Sequence, residues 1–213
     1  MSRDSIRNIP LPADIEAESF RIIDSEVPQP RPFEGPHWEI ARRMVHTTAD
    51  FELLDLVHFH PDAIDRGKAA LASGCTIVTD TEMARMGIPK RRMEPLGCTV
   101  RCLMNDPRVA EAAKQRGTTR AFAAVDVALA EMKPAVWVVG NAPTALIRLV
   151  DRIREGAEAP ALVVGMPVGF VNAAESKDYL MDSGIPCISV RGRKGGSALA
   201  ACVVNALAEI VLR

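Results

Sequence analysis

The chain has 213 residues, 48% apolar and 25% charged, with Lys+Arg 26 against Asp+Glu 27 and a net charge of −1. A chain of this length buries roughly 70% of its unfolded surface, so it needs no staples or structural metal, and its composition excludes a disordered protein. Near-neutral charge and an aromatic share of 4% argue against a nucleic-acid binder, which needs a basic face and stacking rings.

No apolar run reaches about 18 residues, so no membrane span is expected. The segment Met1–Ile9 lacks the apolar core of a signal peptide, and a cytoplasmic location is expected. Five cysteines (Cys75, Cys98, Cys102, Cys187, Cys202) form no CxxC pair, which points to reduced thiols rather than a disulfide framework or a zinc ribbon.

The first 70 residues read as mostly helical over Ile15–Ser25, Trp38–Thr48 and Pro61–Ala72, with a four-proline loop from Pro28 to Pro36. Residues 1–14 are expected to be an extended tail. Five β-rich runs follow: Cys75–Thr79, Thr99–Leu103, Ala135–Val139, Ala161–Val164 and Cys187–Val190. Several are continuously apolar, as parallel strands covered on both faces should be. Between them Asp106-Pro107 caps a helix ending at Gly117, and Asn141-Ala-Pro143 opens one ending near Gly156. Ser197 is expected to cap a last helix over Ala198–Leu212. The alternation predicts a single α/β domain over 1–213, with an open, mostly parallel sheet of about five strands. Helices lie on both faces and an N-terminal helical layer is added.

Ligands of open α/β sheets bind beyond the carboxyl ends of the strands, so the turns there are the candidate sites. Gly140-Asn-Ala-Pro-Thr144 places Asn141 and Thr144 beside a helix N-terminus, which suits an anion and equally an ordinary capped turn. Gly165-Met-Pro-Val-Gly169 is GxxxG rather than the dinucleotide GxGxxG. Arg191-Gly-Arg-Lys-Gly-Gly-Ser197 sets Arg191, Arg193 and Lys194 among glycines without matching a Walker A loop; it reads as an anion site or a solvated basic turn. The stretch Arg85–Arg120 is also basic, and Arg120 opens a helix toward the same cleft.

Of the four histidines, His58 and His60 form an HxH pair without further convergent metal ligands, and His37 lies in the proline-rich loop. His46 shares a helical face with Arg42 and Arg43, and with Asp50 if the helix extends that far. Neighbouring charges of both signs tune an imidazole for proton transfer near neutrality.

In chain order, Ser19-Phe20-Arg-Ile-Ile23, Arg43-Met-Val-His46, Phe59-His-Pro-Asp-Ala63, Ile77-Val-Thr-Asp80 and Gly117-Thr-Thr-Arg120 make one set of motifs. Gly140–Leu146, Gly165–Lys177 and Arg191–Ser197 continue it. Over about residues 15–205 this set resembles the precorrin-8X (cobalt-precorrin-8) methylmutase family of cobalamin biosynthesis. His60 and Ala121 stand where members often carry serine.

The resemblance implies an α/β homodimer with sites near the subunit interface. It implies a 1,5-sigmatropic methyl shift from C11 to C12 of precorrin-8X or cobalt-precorrin-8, giving hydrogenobyrinate or cobyrinate, with no cofactor. It further implies His46 as the acid and Ser19 and Arg43 as substrate contacts. A polycarboxylate macrocycle gives Arg43, Arg120, Arg191, Lys194 and the Asn141–Thr144 turn a common purpose, and Met44, Met166 and Phe170 become candidates for its ring faces or for plain core. Two other readings make different predictions. A carrier of an anionic tetrapyrrole binds without turnover, and a phosphate-using enzyme built on Arg191–Ser197 binds nucleotide.

Overall fold

Short runs of β-branched and apolar residues build a six-stranded sheet within residues 12–213, the part of the chain that the computed structural model describes. The chain opens with α1 (Pro12–Glu26), α2 (Gly35–Thr48) and the short α3 (Leu53–Leu56), then strand β1 (Val57–Phe59) and α4 (Ala63–Ala72). β2 (Thr76–Thr79) is followed by α5 (Glu82–Gly87), α6 (Lys90–Met93) and β3 (Thr99–Cys102). α7 (Pro107–Arg116) and α8 (Arg120–Glu131) lead to β4 (Val136–Val139), α9 (Pro143–Arg154) and β5 (Leu162–Gly165). α10 (Ala173–Met181), β6 (Cys187–Val190) and α11 (Ser197–Leu212) follow.

The sheet order is β1-β6-β5-β4-β2-β3. β2 to β6 are the five expected strands, and all their pairings are parallel. β1 is an addition: it pairs antiparallel with β6 in the register Val57↔Val190 and closes that edge. Its three residues, Val-His-Phe, are too few to show an alternation in the sequence. The expected extended tail is corrected in part. Residues 1–11 lie outside the described residues, but Pro12–Asp14 already belong to α1. Proline is accepted in a first helical turn, and Asp14 there complements the helix dipole.

The chain steps outward from β2 to β3 and then returns to the other side of β2 as β4. The crevice between the ends of β2 and β4 is therefore the topological switch point. β4, β5 and β6 are buried along their whole length because helices cover both faces. One face carries α7 to α10; α9 turns Ala145, Leu146, Leu149 and Val150 inward at helical spacing. Each fully buried large side chain of this kind contributes about 1.5–3 kcal/mol. The other face carries α4, α5 and α11, whose Leu199–Leu207 stretch is buried nearly all round. α2 packs on α11, and α1 packs on α2 around Ile23, Val27, Trp38 and Val45, forming the expected N-terminal layer.

Of the two expected helix caps, one is observed and the other is not. Asp106 caps α7 as read, its side chain accepting from the Arg108 N–H. Ser197, however, is the first residue of α11 rather than its cap, and its hydroxyl meets the Thr81 hydroxyl at 2.8 Å. This contact ties the starts of α5 and α11 together at the strand ends. Gly140 lies against the same place: a Cβ added there would stand 2.6 Å from the Ser197 Cα. Gly140→Ala must therefore push β4 and α11 apart, and we expect it to lower stability by about 2–4 kcal/mol, measured as a fall in the urea midpoint at unchanged slope.

Candidate functional site

α2 ends at Thr48 because Ala49 takes a left-handed conformation (φ 53°) and returns its N–H to the Val45 carbonyl. Asp50 therefore leaves the helix and is not the i+4 partner of His46. It turns to Lys194, whose Nζ lies 2.5 Å from Asp50 Oδ2 and 2.7 Å from Glu52 Oε2. This pair of contacts brings the His46 end of α2 beside the turn that follows β6. Hydrogen bonding to Lys194 holds the Asp50 carboxyl below the usual carboxylate range.

His46 packs edge-on against Phe20 of α1, the ring centres 5.2 Å apart. It shares a cavity of about 230 Å³ with Ser19, Ile22, Ile23, Glu26 and Phe51. The walls are largely apolar, with Ser19 and Glu26 as the polar groups beside the imidazole. Phe20 is the hinge of this arrangement, since the guanidinium groups of Arg42 and Arg43 lie 4.4 Å and 5.2 Å from its ring centre. Cationic groups favour the face of an aromatic ring. The two arginines thus hold the ring that holds the histidine.

Arg43 itself does not open into that cavity. It is buried and binds Glu16 at 2.9 Å and Glu209 of α11, which also receives Arg92. Partial burial raises the Glu16 carboxyl, but the hydrogen bond and charge of Arg43 outweigh it, so its pKa is lowered. Arg42 is likewise bound to Asp24 at 2.7 Å. Ion pairs of this sort clamp α1 to α2 and α2 to α11.

At the switch point the turn leading into α9 already holds an internal carboxylate. Asp80, directly after β2, accepts the N–H groups of Gly140 (3.0 Å), Asn141 (2.7 Å) and Ala142 (2.7 Å). The carboxylate is buried, and burial pushes its pKa up against the pull of those three bonds. The anion that the Asn141–Thr144 turn attracts is thus the protein's own. Thr144 bonds through its hydroxyl to Thr119 at 2.9 Å, which places Arg120 at the same rim as Asn141. Arg120 and Arg191 are exposed. Arg191 follows β6, two strands from Asn141, a separation of roughly 10 Å.

The eight expected site residues therefore fall into two groups joined through Lys194 and Asp50. His46 and Ser19 share the cavity between α1 and α2, with Arg43 behind them. Arg120, Asn141, Thr144, Arg191 and Lys194 lie along the carboxyl ends of the strands. Of the apolar candidates, Met44 and Met166 are fully buried core, whereas Phe170 is 83% exposed beside Arg193, 5.3 Å from its ring centre. Sequence reasoning gave no site role to Phe20 or Asp80, although both stand in quoted motifs. Among the described residues, no three His, Cys, Asp or Glu side chains converge as metal ligands.

Comparison with known proteins assigns the class first. Residues 14–210 match the family described as precorrin-8X methylmutase, so the chain is an enzyme of the isomerase class. It is 48% identical to the cobalt-precorrin-8 methylmutase of Salmonella typhimurium, over 92% of this chain and 94% of that one. It is 42% identical to the precorrin-8X methylmutase of a Sinorhizobium species, over 92% and 93%. The crystal structure of the precorrin-8X methylmutase from Thermus thermophilus superposes with a TM-score of 0.86 at 43% identity, covering 93% and 96% of the two chains. The chain belongs to the precorrin-8X methylmutase family, isomerases of cobalamin biosynthesis.

One buried cation shapes the rim without reaching it. Lys177 of α10 is fully buried, and its Nζ donates to the Lys194 carbonyl at 2.5 Å. Burial pushes its pKa down to about 8, with Asp178 opposing. Between about pH 8 and the ordinary lysine value, the unfolded chain holds a proton that the folded chain has released, so stability rises with pH across this window. The stability of the wild type relative to Lys177→Met is expected to rise by up to about 3 kcal/mol from pH 7.5 to 10.5, read from paired urea titrations.

Proposed function

We propose that this enzyme moves the C11 methyl group of precorrin-8X, or of cobalt-precorrin-8, to C12, with His46 as the proton donor. The methyl leaves one ring carbon and bonds to its neighbour while the double bonds shift, so substrate and product are isomers. No atom, electron or donor group enters from outside. A proton delivered by His46 near ring C withdraws electron density and eases the migration, and it returns to the imidazole afterwards.

The observation that carries this reading is the seat of His46. It is the one histidine housed with a serine in an apolar-walled cavity beside the strand ends, its ring braced on Phe20. A braced ring fixes the direction of proton delivery, and the large macrocycle demands such orientation. We assign substrate contacts to Ser19, Arg43, Arg120, Asn141, Thr144, Arg191 and Lys194. For Arg43 and Lys194 this means that substrate carboxylates exchange with Glu16 or with Asp50 and Glu52. Glu16, Asp50 and Glu52 are far less enclosed than Arg43, so exchange at the outer side of each pair is the accessible route.

We also read the enzyme as a cytoplasmic homodimer with its sites near the interface. Support comes from the large apolar side chains left exposed near the strand ends: Met83, Met86, Phe170 and Val171 are all more than two-thirds exposed. Light scattering at micromolar protein is expected to return twice the 23.1 kDa chain mass, and Phe170→Glu is expected to shift the population toward the single chain. A monomer at every concentration tested rejects this part of the reading.

The catalytic assignment is tested by absorbance assays on precorrin-8X and on cobalt-precorrin-8. The wild type is expected to convert one or both, and His46→Ala to bind the substrate but lose at least about 100-fold in kcat. Binding of both substrates by the wild type without conversion of either identifies a carrier. Full conversion by the variant removes His46 as the acid.

A further inference from the structure

A large cleft lies at the opposite end of the sheet from His46, where the chain enters β4 and β5 through residues 132–135 and 157–161. It encloses about 680 Å³. Three arginines converge there on one carboxylate. Asp126 of α8 receives Arg116 at 2.5 Å, Arg148 at 2.8 Å and Arg152 at 3.4 Å. Arg66 and Lys133, both exposed, line the same cleft.

The charges do not balance. Five cations line the cleft against Asp126 and Glu158, and Glu155, which binds Arg148 and Arg152 from outside, still leaves an excess of positive charge. One donor is also left over. The Arg152 Nε is buried, and its N–H has no acceptor in good geometry, Asp126 standing too far off line at 3.4 Å. Buried donors in folded proteins ordinarily find acceptors, and planar guanidinium groups are the side chains best shaped to fork onto oxyanions. Between the cations the floor is aliphatic, with no aromatic ring on which a base would stack.

We infer that this cleft is a second binding site, for a small multiply charged oxyanion without an aromatic part. Arg152 and Lys133 supply the main contacts and Arg66 the outer charge. Phosphate chemistry (a polyphosphate) and carboxylate chemistry (a tricarboxylate) share the geometry. The site is independent of the methyl shift, because its residues lie at the amino ends of the strands.

Thermal unfolding in pyrophosphate and in citrate, each against sodium chloride of matched ionic strength, tests the inference. At least one oxyanion is expected to raise the midpoint saturably. Its apparent affinity is expected to fall about tenfold in Arg152→Gln and in Lys133→Gln, and to persist in Arg120→Gln and Arg191→Gln. Arg152→Gln leaves Asp126 with Arg116 and Arg148, and Lys133 is exposed, so both variants should fold. A stronger response to pyrophosphate assigns phosphate, and a stronger response to citrate assigns carboxylate. A midpoint that follows ionic strength alone overturns the site. So does a response that survives both cleft variants, or one lost only in the Arg120 and Arg191 variants.

Discussion

The buried carboxylate of Asp80 is the interaction on which the working end of this enzyme depends. It stands where the strand order reverses, and it accepts three successive N–H groups from the turn between β4 and α9. Hydrogen bonds to a charged acceptor contribute about 1.5–3 kcal/mol each, offset by the cost of burying the charge. The result is a fixed join between β2, β4 and α9. Around it the Thr81–Ser197 hydroxyl contact and the missing side chain of Gly140 let α5 and α11 start at the same point. Four chain segments thus meet at one rim, where three backbone donors are already taken by Asp80.

That prior use changes how the enzyme is understood to meet an anionic substrate. Helix N-termini and cations of an α/β sheet are usually counted as open invitations. Here the turn before α9 holds Asp80, Arg43 holds Glu16 and Glu209, and Lys194 holds Asp50 and Glu52. The same carboxylates position elements: Glu16 seats α1 over His46, and Asp50 ties the end of α2 to the turn after β6. In the proposed binding by exchange, the substrate's carboxylates compete with internal ones, so selectivity would rest on how many are presented at once. A ligand with one or two carboxylates replaces little, whereas a polycarboxylate ring replaces several together. Arg120 and Arg191, which are exposed at the rim, are the contacts that this proposal expects to form first.

Much of the architecture was legible beforehand, for identifiable reasons. Val136–Val139 and Leu162–Gly165 are continuously apolar because helices cover both faces, and that is a sequence-level property. Asp106-Pro107 caps α7 through a bond two residues away, which local spacing captures. β1 was not legible: three residues carry no periodicity, and its pairing partner Val190 lies 133 residues further on. The role of Asp80 was hidden for the same reason, since its three donors are some sixty residues distant. Phe20 was quoted as part of a motif, yet only the packing of α1 on α2 brings it between two guanidinium groups and an imidazole.

What the sequence determined by itself is the five parallel strands with most of the long helices, the class of fold, the family and the identity of the histidine worth testing. These follow from hydrophobic period, local caps and ordered motifs, all of which act over a few residues or survive as patterns. Tertiary structure alone decided which charges are free. Lys194 and Asp50 are 144 residues apart, Arg43 and Glu209 166 apart, and Arg116 and Asp126 meet Arg148 across three helices. Whether a cation awaits a ligand or already has a carboxylate depends on distances of a few ångströms between distant segments, and Coulomb interactions at that range carry no trace in composition or spacing.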